Sequence, residues 1–443
     1  MNNKKVHLVS LAASCCLSFF LISSCGDTDK KGTTVYDPTK PVTITSFYPD
    51  SGRIAEKVIF TGENFGSEPD SIRVWFNEKR GRVIGANGHT MYVVVPRTPG
   101  DTCTVTVQIG NHTQTLEQKF RYKISVSVST ICGNGVPEFR SGDLASAQMR
   151  PWYLAVDNEE NIFVVQRGDG FYGLIRVNEE ENIVEELGRG LNSPNVLTVD
   201  RETGMITVPA DDPREILYTA DPQEGWAVRT RNMKLDFDVS GGNTGIGRYK
   251  HAMAFCQLDG KVYTRYRSGD IAKIDPVTYK TEKVYQTDFG DVYGLAFHPL
   301  HPELLYLAMT GEVTGTGNYA HSICTIDVTN PEHSFRRLTA PNASGGFRDG
   351  EIELARFNNP CQIYFDPDGT LYVADMGNHC IRKITPSNLV QTVIGIPGSP
   401  GSEDGNTDEA RFNQPRGLTV NKEGTTIYVA DFGNARLRKL AIE

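Results

Sequence analysis

The sequence predicts an all-β protein, a small β-sandwich followed by a six-bladed β-propeller. Three observations carry this. Glycine (43) and proline (23) are frequent among 443 residues, and 18 Tyr and 20 Phe sit in short alternating runs rather than long helical patterns. A block of 55–56 residues recurs in the C-terminal part of the chain, with weaker copies upstream. The chain ends one strand short of a whole repeat. A hydrophobic share of 39% beside 22% charged residues supports a buried core and excludes a chain disordered by composition. The totals also exclude a polytopic membrane protein, and a net charge of −9 argues against a nucleic-acid partner.

Residues 1–24 read as a lipoprotein signal peptide. Lys4 and Lys5 precede an apolar run from Leu8 to Ile22 that is too short to span a bilayer comfortably. Ile22-Ser23-Ser24-Cys25 resembles a bacterial lipobox, in which small side chains admit the peptidase and the thiol takes the lipid. That resemblance implies a membrane anchor on Cys25. Removal of residues 1–24 takes away two lysines and no acid, so the mature chain is more acidic still. Residues 25–40 read as a lipidated flexible tether. Within it, Gly26-Asp27-Thr28-Asp29-Lys30-Lys31 partly resembles the surface-export signal of polysaccharide-harvesting lipoproteins from gut bacteria. The expected location is the outer membrane, lipid-anchored, at the cell surface.

Residues 41–123 alternate with period two between turns: Val42–Ile44, Lys57–Phe60, Ile72–Phe76, Met91–Val95, Cys103–Ile109 and Phe120–Tyr122. Four segments, ITSFYPDSG (44–52), FTGENFG (60–66), VWFN (74–77) and VVVP (93–96), resemble the IPT/TIG immunoglobulin-like family. The resemblance implies a spacer or adhesion module. Trp75, inside a strand, is expected in the core.

Residues 124–443 carry the repeat. Ala355-Arg356-Phe357-Asn358-Asn359-Pro360 returns as Ala410-Arg411-Phe412-Asn413-Gln414-Pro415, and Leu371–Asn378 returns as Ile427–Asn434. Ile381-Arg382-Lys383-Ile384 matches Leu437-Arg438-Lys439-Leu440. Weaker copies of the first strand begin at Pro151, Pro194, His251 and Tyr293, giving six blades. Ser129–Gly133 looks like the missing fourth strand of the last blade, so an N-terminal strand is expected to close the ring and leave no free edge. The motifs P-x-G-L-x-V-(N/D), (I/L)-Y-V-A-D-x-G-N and (I/L)-R-K-(I/L) resemble NHL repeats. Lipobox, IPT/TIG and NHL segments together resemble polysaccharide-utilisation surface lipoproteins of gut bacteria, which implies glycan capture.

Alignment of the inner strands places one residue per blade at one mouth of the channel: Trp152, Asn195, His251, Tyr293, Cys361 and Arg416. Aromatic faces can stack on sugars, while amide, imidazole and guanidinium groups can take hydroxyls. The ligand site is therefore expected at Trp152, Asn195, His251, Tyr293 and Arg416. The same side chains equally fit a plug that satisfies itself. Inserts around Phe171-Tyr172, Trp226 and Thr314–Tyr319 are expected to overhang that face.

The repeated Asp375/Asn378 and Asp431/Asn434 read as turn residues, and Arg382 and Arg438 as partners of neighbouring blades. His298-Pro299-Leu300-His301 lacks a helix to align two metal ligands, and Asp366–Gly369 lacks the oxygen series of a calcium loop. No metal, cofactor or catalytic residue is expected. The six cysteines Cys103, Cys132, Cys256, Cys324, Cys361 and Cys380 lack zinc-ligand spacing and read as buried thiols. The predicted function is binding without turnover, with a glycan or an outer-membrane protein as partner and the chain a monomer. Two alternatives are a propeller lyase or hydrolase acting on polysaccharide, and a protein-interaction scaffold. One histidine and no acid at the mouth, and no G-x-S-x-G elbow, speak against the enzyme.

Overall fold

The computed structural model describes residues 34–96, 102–123, 125–239, 246–314, 319–341 and 344–442. The signal peptide, Cys25 and the first part of the tether lie outside them. The end of the expected tether does not hang free. Asn64 accepts from Asp37 N (2.9 Å) and donates to Asp37 O and Lys40 O (2.8 and 2.9 Å), which ties residues 37–40 to the sandwich.

The sandwich arises from the alternation in its strands, which puts every second side chain inside. One layer pairs Thr43–Tyr48, Lys57–Glu63 and Thr90–Val94; the other pairs Ile72–Phe76, Thr102–Ile109 and His112–Tyr122. Lys79–Ala86 joins both layers, its first half pairing with Ile72–Phe76 and its second with Thr90–Val94. The crossing passes Gly81, where a Cβ would stand 2.9 Å from Val93 Cγ1 and 3.1 Å from the Phe76 ring. Phe47 meets Phe60 and Phe76 meets Phe120, each pair at 5.2 Å between ring centroids. Trp75 departs from expectation. Ile72, Val74 and Phe76 take the core face, so period two turns Trp75 to the other, where it is half-buried.

Six further sheets form the propeller, their first strands innermost. The inner strands are Tyr153–Val156, Thr198–Val199, Lys250–Cys256, Phe289–Phe297, Pro360–Phe365 and Pro415–Val420, which define blades 1 to 6. Closure occurs as the sequence predicts. Val126–Cys132 pairs antiparallel with Arg436–Ile442 and becomes the fourth strand of blade 6. Chemically it copies blade 5. Thr130 donates its N–H and hydroxyl to Asp404 (3.0 and 3.2 Å), as Thr392 does to Asp349 (both 2.9 Å).

The repeated YVADxGN turn is a buried ion-pair device. Asp375 accepts from Asn358 N (2.8 Å), Asn378 Nδ2 (2.8 Å) and the Arg382 guanidinium (3.0 Å); Asp431 does the same with Asn413, Asn434 and Arg438, each at 2.8 Å. Burial, the leading cause, pushes both carboxyls up to about 6. The arginines do not pair with neighbouring blades. Arg382 reaches Asp349 (2.6 Å) and the carbonyls of Arg348 and Arg356 (both 2.6 Å), all on the segment leading into its own blade. That segment wraps the blade's outer strands, so the partners come from the same repeat.

Cys103, Cys132, Cys256, Cys324, Cys361 and Cys380 are buried, and none of them is in a disulfide. The sandwich meets the propeller at the Lys79–Asp368 ion pair, between a hairpin turn of one and the first turn of blade 5.

Candidate functional site

Each inner strand carries one extra residue near its start. In blades 3, 4 and 6 the pairing skips His251, Tyr293 and Arg416, and in blade 5 it skips Cys361 and Gln362. The same offset recurs in blades 1 and 2. Trp152 N donates to Val165 O although Tyr153 is the residue opposite Val165, and the register shifts by one between Pro194/Ala210 and Thr198/Thr207. A bulged residue has no cross-strand neighbour, and the local kink re-aims its side chain. Here the bulges bring the predicted residues together at the start of the inner strands.

They form two layers. Asn195, His251 and Cys361 are buried, at 0, 3 and 1% exposure, whereas Trp152, Tyr293 and Arg416 are half-exposed above them. His251 stacks on Tyr293 at 4.5 Å, and Tyr293 stacks on Tyr153 at 5.9 Å. The Arg416 guanidinium packs against an edge-to-face pair of rings, 4.1 Å from Trp152 and 4.6 Å from Phe432, whose own centroids are 5.0 Å apart.

The mouth is not free of acids, contrary to expectation. Asp211 and Asp291 both belong to it. Asp211 pairs with Arg167 (3.0 Å) and accepts from Asn195, and Asp291 pairs with Arg267 (2.9 Å). His251 sits between them, 3.9 Å from Asp211 and 3.5 Å from Asp291. Burial foremost, then Arg267, Arg265, Arg167 and Lys250, hold its pKa well below the ordinary value, so the imidazole is neutral. Among the described residues no group of three or more His, Cys, Asp or Glu is arranged to hold a metal ion.

Asp211 escaped the sequence reading because it follows the second strand of its blade. Arg167, Asp211, Arg267, Thr310, Met376 and Phe432 occupy one equivalent place there, the residue after the Asp of YVADxGN in the strong repeats. The repeat offset that aligned the inner strands also aligns this second ring. Asp291 lies two residues ahead of Tyr293, on an inner strand that starts earlier than expected and bulges twice.

Lys250 lies beneath the ring, fully buried, and donates to the carbonyls of Pro213 (3.0 Å) and Arg214 (2.9 Å). Burial lowers it from 10.5 to about 7, against the pull of Asp211, Glu215 and Asp212. Above pH 7 the unfolded chain keeps a proton on Lys250 that the folded chain has lost, so this group makes stability rise with pH, while the buried thiols, kept protonated in the fold, act in the opposite direction as the pH nears 9. The Lys250 part of the slope amounts to about 2 kcal/mol between pH 7 and 9 by the linkage relation. Urea titrations at several pH values should show that slope flattened in Lys250→Met; an unchanged slope would exclude Lys250 as its source.

The channel does not run through. Gln362 reaches from blade 5 to blade 1, accepting from Leu154 N (3.0 Å) and donating to Leu154 O (2.6 Å). The inner strands of blades 2 and 3 also bond directly, Val196 N to His251 O at 3.1 Å and Met253 N to Val196 O at 3.0 Å. Beyond this floor, at the ends of the inner strands, a cavity of about 770 Å³ opens among Val199, Arg201, Met253, Phe255, Phe297 and Tyr364. Its polar groups are largely committed to turns. Asp200 accepts from Glu202 N and the Thr203 hydroxyl, Asp366 from Asp368 N and Thr370 N. His298 Nδ1 accepts from both Leu300 N and His301 N at 3.1 Å, the turn role that Asp366 plays in blade 5.

The expected overhangs fall differently. Phe171-Tyr172 forms the hairpin at the ring's mouth, with Phe171 buried and Tyr172 exposed. Trp226 instead follows the third strand of blade 2, at the far end, where it is 5.8 Å from Phe163 and under Arg176 at 4.9 Å. Residues 315–318 of the third insert lie outside the described residues.

Comparison with known proteins accords with this architecture. Residues 41–124 match the IPT/TIG domain, and residues 357–384 and 412–440 match the NHL repeat. The chain is 38% identical over 109 residues to human NHL repeat-containing protein 2, covering 22% of this chain and 15% of that protein. It is 22% identical over 220 residues to human NHL repeat-containing protein 3, covering 48% of this chain and 59% of that protein. The chain thus spans less than two thirds of the length of these curated relatives. A Bacteroides thetaiotaomicron structure described as a protein of unknown function aligns over 92% of this chain and 100% of its own, at TM-score 0.75 and 23% identity. A second, described as an auxiliary nutrient binding protein from Bacteroides ovatus, aligns over 93% and 100% at TM-score 0.59 and 20% identity. The likeness to both is one of fold.

Proposed function

We propose that this chain is a lipid-anchored protein of the outer membrane surface that captures a glycan at the ring-bearing mouth of the propeller without turning it over. The observation that carries the reading is the layered ring. Trp152, Tyr293 and Arg416 stand half-exposed over a floor in which Asn195, His251 and Cys361 are buried. Sugars present flat apolar faces rimmed by hydroxyls, and rings beside fixed polar groups match that pattern. The cavity at the opposite end suits a glycan less, because its hydrogen-bonding groups are largely engaged with backbone. The role described for the Bacteroides ovatus neighbour, nutrient binding, is in keeping with the reading. The anchor rests on the lipobox ending at Cys25.

Turnover is disfavoured by the state of the polar groups. Asp211 and Asp291, the aspartates beside His251, are held by arginines and the histidine is neutral and enclosed, so these three do not form an acid–base pair at an exposed position. The test is a glycan array with the full chain, followed by Trp152→Ala and Tyr293→Ala. Each substitution is expected to weaken binding about tenfold, the scale of one lost aromatic contact. Release of reducing ends from any bound polysaccharide would overturn the reading.

A further inference from the structure

Four arginines around the mouth each have an aspartate: Arg150 with Asp169 at 3.0 Å, Arg167 with Asp211 at 3.0 Å, Arg248 with Asp212 at 2.7 Å and Arg267 with Asp291 at 2.9 Å. Arg416 differs. Among the described residues it forms no ion pair, and its buried Nε meets no acceptor. Two more donors beside it share that condition, the Trp152 indole Nε1 and the Tyr153 hydroxyl. The hydroxyl lies beside the guanidinium as a neutral oxygen that can accept from it but carries no counter-charge. The rings of Trp152 and Phe432 meet the guanidinium from one side and offer no acceptor for its N–H edge. A partly buried cation with no carboxylate beside it favours an anion or water at that edge.

We infer that the ligand is an acidic glycan whose carboxylate or sulfate group is received by Arg416, with Trp152 supporting the adjoining sugar ring. This rests on the glycan-capture reading above and names its ligand class. The guanidinium is a planar fork that matches the two oxygens of a carboxylate or sulfate, and it is packed against the Trp152 and Phe432 rings. The net charge of −9 works the other way at long range, so retention of a polyanion would have to come from a local site.

The experiment is affinity electrophoresis of the full chain through gels containing polygalacturonate, dextran sulfate or neutral galactan, at 50 and 500 mM salt. Retardation by an acidic polymer is expected, at least tenfold weaker in Arg416→Gln and weaker at high salt. Arg416→Lys, which keeps the charge and loses the fork, should fall between. Retardation by polygalacturonate would identify a carboxylate, and retardation by dextran sulfate alone a sulfate ester. Thermal melts of both variants guard against a folding defect. Retardation by galactan with Arg416→Gln unaffected would overturn the acidic ligand while leaving glycan capture standing. Failure to bind these polymers and every glycan of the array would overturn both.

Discussion

A chain of residues 134–443 is expected not to fold, whereas one of residues 125–443 is expected to melt cooperatively as the full protein does. The two differ by the strand Val126–Cys132. Its register with Arg436–Ile442 runs from Ile442↔Val126 to Leu437↔Cys132, and Gly405–Asn406 pairs on its outer side. Val126, Val128 and Cys132 are buried, at 9, 4 and 3% exposure. At about 1.5–3 kcal/mol for each large apolar side chain, the two valines alone contribute roughly 3–6 kcal/mol as an upper bound. Whole domains are stable by only about 5–15 kcal/mol. Loss of the strand also bares the edge of Arg436–Ile442, an aggregation template. Removing the sandwich forfeits mainly the partly exposed Lys79–Asp368 pair, a small term. Circular dichroism melts and size-exclusion chromatography decide the matter. A soluble 134–443 chain melting within a few degrees of the longer one would refute closure by this strand.

The second large effect belongs to the buried arginines. Arg382→Met and Arg438→Met are each expected to cost about 3–5 kcal/mol, because each leaves a buried aspartate without its counter-charge. Arg382 and Asp375 are both fully buried, as are Arg438 and Asp431. The loss also removes a donor from the carbonyls of Arg348 and Arg356 in blade 5, or Glu403 and Arg411 in blade 6; those of Arg348, Arg356 and Glu403 keep a backbone N–H. A double variant, Arg382→Met with Asp375→Asn, should recover part of the loss by removing the orphaned charge. Denaturant titration reads all three. A cost below 1 kcal/mol would show that water replaces the guanidinium.

The fold was legible because the repeat carries it. Where two blades share Asp, Asn and Arg at fixed offsets, the spacing locates strand, turn and strand together, and Thr130 beside Thr392 even located the closing strand. Blades 3 and 4 read weakly because they solve the same problem with other residues. Tyr266 and Met309 stand where Asp375 does, and in blade 3 the fully buried Arg265 binds Thr287 Oγ1 (2.9 Å) and Gly290 O (2.8 Å) on the way into blade 4. The site was half legible. Strand alignment named the bulged residues, but a bulge has no residue signature of its own, so the division into buried and exposed layers could not be read. The acids were missed because one comes from a second strand and the other from an irregular stretch of an inner strand. Trp75 was misplaced for a simpler reason, since the alternation of Ile72, Val74 and Phe76 already assigned the core face to its neighbours.

The bulges separate positions that strand pairing constrains from positions that it leaves open. A paired residue must suit its cross-strand neighbour; a skipped one answers to no pairing rule. Six such positions surround one opening, held here by Trp, Asn, His, Tyr, Cys and Arg. They amount to a short word that can be rewritten while the sheets around it keep their grammar. Duplication of a blade copies the slot without fixing the letter in it. One propeller can therefore change the side chains around its mouth by substitution at those slots, with the register of every strand unaltered.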